Sequence, residues 1–433
     1  MIAMTLKIYP SRLRGELPAV PSKSAAHRLL ICAALADVPT RVVMPDWPAE
    51  DIRATIRCLR ALGAEIGREG RALVVTPVAT GKGAAGECAE FDCGESGSTL
   101  RFLLPIAAAL QREARFTGAG RLPERPLGPM IECLRTGGAT LECESPLRAL
   151  PLALSGRLSP GAYRLPGDVS SQFISGLLLA LPLLPEGGEI RLTGALESAS
   201  YVEMTIEALA RFSVRVEQLQ DGFRVPPGQR YKSPGEAIVE GDWSNMAFFL
   251  AAGALGGPVT CTGLSADSAQ GDREILAFLE RFGARIERGA DRVTVTQGAL
   301  RAIEADVSQT PDLAPALAAL AALSEGESLI DGAGRLRMKE VDRLRAIRNL
   351  LAGLGSRAEE GENSLRVTGQ RALPGGCADG AGDHRMAMAA AIMGAACDGA
   401  SVLTGAESVA KSYPSFFEDF KKLGGRFDVL DNR

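Results

Sequence analysis

The chain repeats itself six times. "CLRALGAEI" at residue 58 returns in altered form as "CLRTGGATL" at 133, "ALARFSVRV" at 208, "FLERFGARI" at 278, "LLAGLGSRA" at 350 and "DFKKLGGRF" at 419. Successive copies lie 75, 75, 70, 72 and 69 residues apart, so six units of about 72 fill the 433 residues. Each copy reads as the end of an amphipathic helix, usually closed by Gly, the commonest helix C-cap. A short strand such as "ALVVTP" or "RVTVTQ" follows.

A second helix recurs with the same period: "SKSAAHRLLICAALAD", "GSTLRFLLPIAAAL", "SSQFISGLLLALPLL", "DWSNMAFFLAAGAL", "PDLAPALAALAAL" and "DHRMAMAAAIMGAA". These stretches are apolar nearly all round, the mark of a buried helix. Each unit therefore reads as strand, buried helix, strand, amphipathic helix, strand. A period near 72 exceeds the 20 to 50 residues of solenoids, so closed units are expected rather than an open array. Three repeats per lobe give two α/β lobes with helices packed inside sheets, at 22–237 and at 238–433; the residues alone do not assign 1–21 to the second lobe. The seam is expected near "RYKSPGEAIVEGDW".

Function is sought where the unusual residues fall within the repeat. A helix N-terminus carries unpaired N–H groups and about half a positive charge, and so binds anions. Lys23, Ser24 and Arg28 open the first buried helix, Gly97, Ser98 and Arg101 the second, and Ser170, Ser171 and Gln172 the third. Asp312 opens the fifth; Asp383, His384 and Arg385 open the sixth. The amphipathic helices add Arg125, Ser198, Tyr201, Lys339, Glu340, Arg343 and Lys411. A serine at a helix start is ordinarily a cap, and Asp312 after Pro311 can be read the same way. Lys23, Arg343 and Arg385 are harder to dismiss, because a cation in a first turn opposes the helix dipole unless an anion compensates. With 40 Arg against 8 Lys, a lysine inside a motif is less readily background. Basic groups at equivalent positions of a chain with net charge −4 imply a substrate bearing several negative charges. An Asp among such cations is expected to ionise more readily, suiting a base, and a less solvated Glu to serve as an acid. Tyr201 and Trp243 are read as packing residues, and "GDREIL" at 271 as a capped helix start without chemistry.

Several function classes are disfavoured. Aromatic residues make up 5% of the chain and the net charge is negative, against a nucleic-acid partner. No signal-type segment and no run of roughly 20 apolar residues occurs, so a cytoplasmic protein is expected. Nine scattered Cys without a CxxC pair and only two His support neither a disulfide framework nor a metal site.

The motifs "PSKSAAHRLLICAALAD", "DCGESGSTLRFLLPIA", "LPERPLGPMIECLRTGGA", "GDVSSQFISGLLLALPLL", "VEGDWSNMAFFLAAGAL", "VSQTPDLAPALAALAA", "RLRMKEVDRLRAIRNLLAGLG", "DHRMAMAAA" and "VAKSYPSFFEDFKKLGG" carry a resemblance. In this order, over about residues 5 to 427, they resemble the 3-phosphoshikimate 1-carboxyvinyltransferase (EPSP synthase) family of enolpyruvyl transferases. The resemblance implies two lobes of three βαβαββ units each, an inverse α/β barrel arrangement, with the N-terminal stretch joining the second lobe and the lobes closing over substrate. It implies transfer of the carboxyvinyl group of phosphoenolpyruvate to the 5-hydroxyl of shikimate 3-phosphate, without metal or organic cofactor, by a monomer.

By that similarity, Lys23, Ser24, Arg28, Ser170, Ser171, Gln172, Ser198, Tyr201, Asp312 and Lys339 hold shikimate 3-phosphate. Lys23, Gly97, Arg125, Gln172, Arg343, Arg385 and Lys411 hold phosphoenolpyruvate. Asp312, Glu340 and Lys23 are the implied catalytic groups, and Gly97 implies room for the inhibitor glyphosate. The chain departs from the family pattern at Glu95, Ser98, Phe102 and Arg335. Two readings compete. A transferase acting on UDP-N-acetylglucosamine would carry an Asn after the first Lys, where Ser24 stands, and a Cys in the loop that here reads "LPERPLG". An RNA 3′-phosphate cyclase would use His384 as nucleophile but is expected to have four repeats and a basic surface.

Overall fold

The computed structural model describes residues 3–44, 48–78, 88–145 and 148–430. Among them are six four-stranded sheets, each built to one plan: a parallel pair at one edge, then two antiparallel pairings. Ala162–Pro166 runs parallel to Gly188–Thr193, for example, which pairs with Gly222–Val225, and Glu217–Leu219 closes the other edge. The repeat is thus βαβαββ, one strand longer than the residues alone suggested. The added strand is "EIGRE" at Glu65–Glu69 in the first repeat and "RIER" at Arg285–Arg288 in the fourth. Both are short, charged edge strands, the composition that discourages pairing with another chain. Their side chains are mostly exposed, so they lack the alternation by which a half-buried strand is recognised.

The chain divides into two compact units. One comprises Lys23–Val239, the other the residues up to Ser22 with Glu240–Arg433. The N-terminal strands belong to the second unit: Thr5–Tyr9 lies between Ser401–Thr404 and Arg426–Leu430, and Gly15–Pro18 runs parallel to Val259–Thr262. Glu236–Ile238 likewise supplies the parallel edge of the first sheet, beside Thr40–Val43. In these three sheets one strand is borrowed from a remote part of the sequence.

The six apolar helices form the interiors of the two units. They are Lys23–Ala34, Gly97–Ala109 and Ser171–Ala180 in the first, and Trp243–Leu255, Ala314–Ala322 and His384–Ala396 in the second. Every residue of Ala314–Ala322 and of His384–Ala396, except Ala396, is buried, so these helices present no polar face. In the first unit, Gly97–Ala109 and Ser171–Ala180 cross closely at Gly176, where a Cβ would collide with the Arg101 carbonyl. The amphipathic helices instead bury one stripe: Ile275–Phe282 buries Ile275, Leu276, Phe278, Leu279 and Phe282 and ends at Gly283 with φ +101°. The local signals of the sequence, Gly at C′ and Ser or Asp at the N-cap, recur here as geometry.

All nine cysteines are free thiols, six of them buried. None of the described helices is long and apolar enough to cross a membrane.

Candidate active site

A helix sheathed in sheet can expose only its ends, and the polar residues of the buried helices are concentrated at their N-termini. In the first unit, Ser96 accepts from Thr99 N at 3.2 Å and so caps the second buried helix, and Ser170 accepts from Gln172 N at 3.3 Å and caps the third. These capped heads are joined side by side. Arg101 donates to Gln172 Oε1 at 2.8 Å and to the Pro126 carbonyl at 2.9 Å, while the Gln172 amide donates to Ser98 Oγ at 2.9 Å. Gly97 lies beneath two guanidinium groups, since a Cβ there would sit 2.5 Å from Arg101 Nη1 and 2.9 Å from Arg125 Nη1. Arg125 follows the short turn Leu122–Glu124 in extended conformation, and its Nε is buried without a hydrogen-bond partner among the described residues.

At the first buried helix, Lys23 Nζ donates to Asp51 Oδ2 at 2.7 Å. Asp51 was missed in the sequence, where it reads as an acid stabilising the first turn of Glu50–Leu62. The signal was there in principle: a lysine heading a buried helix calls for a counter-charge. Arg28 is 2% exposed and makes four hydrogen bonds inside the unit. It donates to Thr205 Oγ1, the Ser24 carbonyl and the Tyr201 carbonyl, each at 2.7 Å, and to Ser175 Oγ at 3.5 Å. Burial lowers its pKa to about 10. Arg28 therefore ties the first helix head to Ala199–Arg211, and it fixes Ser24 and Tyr201 through their backbones. Tyr201 itself is half-buried, and Ser198, at φ +54°, makes no side-chain cap.

The second unit gathers its candidates into one ion network centred on Arg343, which is fully buried. Its Nη1 donates to Asp312 Oδ1 at 2.7 Å, its Nη2 to Glu340 Oε2 at 2.6 Å and its Nε to Asp383 Oδ2 at 2.6 Å. The first-turn cation that seemed to demand an external anion is met by three carboxylates of the protein itself. Asp312 also faces Arg385 Nη2 at 3.0 Å and Lys339 Nζ at 3.4 Å. Burial pushes the Asp312 carboxyl up, but Arg385, Lys339 and Arg343 outweigh it and hold the group well below the usual carboxylate range. Asp312 thus stays anionic and is not the N-cap its position after Pro311 suggested; it sits in a 3₁₀ turn and spends its oxygens on cations. Glu340 pairs with Arg343 rather than with the adjacent Lys339, whose own pKa is lowered by burial.

The sixth buried helix completes the network. Asp383 caps it, one oxygen accepting from Arg385 N at 2.9 Å while the other holds Arg343. Arg385 is 7% exposed, bonds His384 Nε2 at 2.6 Å and donates to Ser244 Oγ at 2.7 Å. Lys411, also 7% exposed, donates to the Gly382 carbonyl at 2.7 Å. The segment "GDREIL" departs from its reading as a plain capped start. Gln270 precedes a 3₁₀ turn at Gly271–Glu274, and Asp272 within it is 4% exposed. Trp243 packs as expected, its indole N–H donating to the Ser265 carbonyl at 3.2 Å. No cluster of potential metal ligands occurs among the described residues.

Two α/β units of three repeats each, with basic side chains fixed at the heads of buried helices, make up the fold. Solved structures share this fold: an EPSP synthase from Acinetobacter baumannii superposes with a TM-score of 0.83 over 99% of this chain and 100% of its own, at 24% identity. The enolpyruvyl transferase NikO from Streptomyces tendae gives 0.78 over 99% of each chain at 21% identity. The sequence pattern of EPSP synthase (3-phosphoshikimate 1-carboxyvinyltransferase) matches residues 8–420. The 3-phosphoshikimate 1-carboxyvinyltransferases of Clostridium kluyveri and Clostridium novyi are 43% and 39% identical, each over 98% of both chains. The chain belongs to the EPSP synthase family.

Proposed function

We propose that the protein transfers the carboxyvinyl group of phosphoenolpyruvate to the 5-hydroxyl of shikimate 3-phosphate and releases phosphate. The observation that carries the reading is Asp312, held anionic among Arg343, Arg385 and Lys339, with Glu340 on the same Arg343: two carboxylates set among cations. In the proposed reaction the hydroxyl oxygen bonds to C2 of the enol ester as C3 gains a proton, giving a tetrahedral intermediate. Breaking the C2–O bond to phosphate, with loss of a C3 proton, restores the vinyl group. Asp312 receives the hydroxyl proton, Glu340 supplies and later recovers the proton at C3, and Lys23 stabilises charge and moves protons. Shikimate 3-phosphate is assigned to Lys23, Ser24, Arg28, Ser170, Ser171, Gln172, Ser198, Tyr201, Asp312 and Lys339. Phosphoenolpyruvate is assigned to Lys23, Gly97, Arg125, Gln172, Arg343, Arg385 and Lys411. Fixed cations and positioned proton carriers supply the catalysis, so no cofactor enters.

Phosphate release from phosphoenolpyruvate, measured separately with shikimate 3-phosphate, with UDP-N-acetylglucosamine and with ATP plus RNA ends, tests the reading. Release with shikimate 3-phosphate alone is expected; release with either alternative and none with shikimate 3-phosphate overturns it. Glyphosate is expected to inhibit by binding beside Gly97, and an inhibition curve flat to millimolar concentration contradicts that part. The proposal extends to a cytoplasmic monomer that binds no nucleic acid, the last supported by the net charge of −4. Sedimentation and cell fractionation test it.

A further inference from the structure

His27 takes no part in the assignments above, although it lies one turn after Lys23 on the same face of Lys23–Ala34. The imidazole is 1% exposed and belongs to a chain of buried side chains that joins three helices. Its Nδ1 is 2.7 Å from Thr55 Oγ1 in Glu50–Leu62, and Thr55 Oγ1 is 2.6 Å from Thr99 Oγ1 in Gly97–Ala109. Thr99 Oγ1 donates to Ser96 Oγ at 2.8 Å, the same oxygen that caps this helix by accepting from Thr99 N. Thr55, Thr99 and Ser96 are all buried.

One proton per hydroxyl fixes the direction of the chain. Thr99 gives its proton to Ser96, with the Asp51 carbonyl a second acceptor at 3.4 Å, so Thr99 accepts from Thr55. Thr55 then has no proton left for His27 and accepts from the ring. The imidazole is thereby held with its proton on Nδ1, and Nε2 is bare, buried without a hydrogen-bond partner among the described residues. Burial, with Lys23 and Arg28, holds its pKa well below the ordinary histidine value, in keeping with a neutral ring. A bare buried nitrogen is a cost that an apolar side chain would avoid, which leaves the Nδ1 bond as the use of a histidine here.

We propose that His27, Thr55 and Thr99 are positioning residues: their chain sets the Ser96–Ser98 head of the second buried helix, and with it Gly97, against Lys23 for binding phosphoenolpyruvate. This inference rests on the assignment of Lys23 and Gly97 to that substrate. Lys23 is held separately by Asp51 at 2.7 Å, and the first buried helix by the bonds of Arg28 to Thr205 and to the Tyr201 carbonyl. Losing the chain therefore frees the head at Gly97 more than it frees Lys23. The effect falls on phosphoenolpyruvate rather than on shikimate 3-phosphate.

Thr55→Val keeps the shape of the side chain and removes the hydroxyl that links the ring to Thr99. Its KM for phosphoenolpyruvate is expected to rise by roughly three- to tenfold, with kcat and the KM for shikimate 3-phosphate within about twofold. Thr55→Ser restores the hydroxyl and should return the wild-type values. Adding Thr99→Val to Thr55→Val should change little more, because the chain is already broken. An unaltered KM for phosphoenolpyruvate in Thr55→Val, or effects that multiply in the double variant, overturns the inference. So does equal loss in kcat and both KM values, which marks a structural role. Should Thr55→Val fail to fold, the wild type carries the test. The chain has two histidines, so nitrogen NMR with isotope-labelled histidine, compared with His27→Asn, identifies the signals of His27. A neutral ring protonated on Nδ1 at pH 7 is expected, and a proton on Nε2 overturns the inference. Wild-type protein that releases no phosphate sinks the functional reading and this inference together; an active wild type with an unaffected variant sinks this inference alone.

Discussion

Replacing Arg343 with Met tests the electrostatic core of the second unit. The side chain is fully buried and its three nitrogens hold Asp312, Glu340 and Asp383 at 2.6 to 2.7 Å. Met fills much of the volume but leaves three carboxylates short of a counter-charge. Breaking a buried ion pair by removing one partner costs about 3–5 kcal/mol, and three acids sharing one lost cation should put the variant at the upper end of that range. For a unit of about 200 residues, each kcal/mol shifts Tm by roughly 2–4 °C, so a loss of roughly 10 °C or more is expected. Calorimetry at pH 7 measures it. The loss should also depend on pH with a definite sign. Asp312 is held below its ordinary pKa in the folded protein, so its contribution is present above the unfolded value near about 4 and disappears as the pH falls through the folded value. The gap in Tm between wild type and variant should therefore hold from pH 7 down to about 4 and narrow as the pH is lowered further. A gap of 2 °C or less by roughly this scale, or one that does not narrow below a pH of about 4, refutes the claim that Arg343 is neutralised by these acids.

Asp383 separates capping from charge: Asp383→Asn keeps an acceptor for Arg385 N and should recover about 1 kcal/mol relative to Asp383→Ala, both variants losing the pairing with Arg343, as urea unfolding will measure. Gly97→Ala places a methyl against Arg101 and Arg125, so steady-state kinetics should give a raised KM for phosphoenolpyruvate with Tm unchanged within a few degrees; unchanged KM contradicts the assignment. Glu340→Gln should depress kcat by at least about tenfold while both KM values stay within a few-fold, the pattern of a group that acts in the chemical step. Arg385→Ala should mainly raise the KM for phosphoenolpyruvate, and an unchanged value speaks against its role as the anion clamp.

The sequence by itself determined the repeat and the kind of helix at each point within it. Six returns of one amphipathic helix and six apolar helices with polar heads are local patterns, governed by periodicity and capping, and such signals survive without knowledge of partners. They were enough to mark Lys23, Arg343 and Arg385 as cations placed against a helix dipole. What compensates each cation depends on which heads meet, and only the tertiary structure decided that. Arg343 and Asp383 are 40 residues apart in sequence, Arg385 and Ser244 are 141 apart, and neither pairing leaves a periodic trace. The structure also turned Asp312 from a residue readable as a cap into a carboxylate among three cations, and it buries Asp272 in a segment that reads as a capped helix start. Both changes have one cause. A 3₁₀ turn ahead of the helix redirects the side chain inward, and whether a carboxyl there meets water or a guanidinium is set by the helices packed around it. Likewise the strand Thr5–Tyr9 completes a sheet with residues some 400 positions away, because an open sheet edge is closed by whichever strand the fold brings beside it.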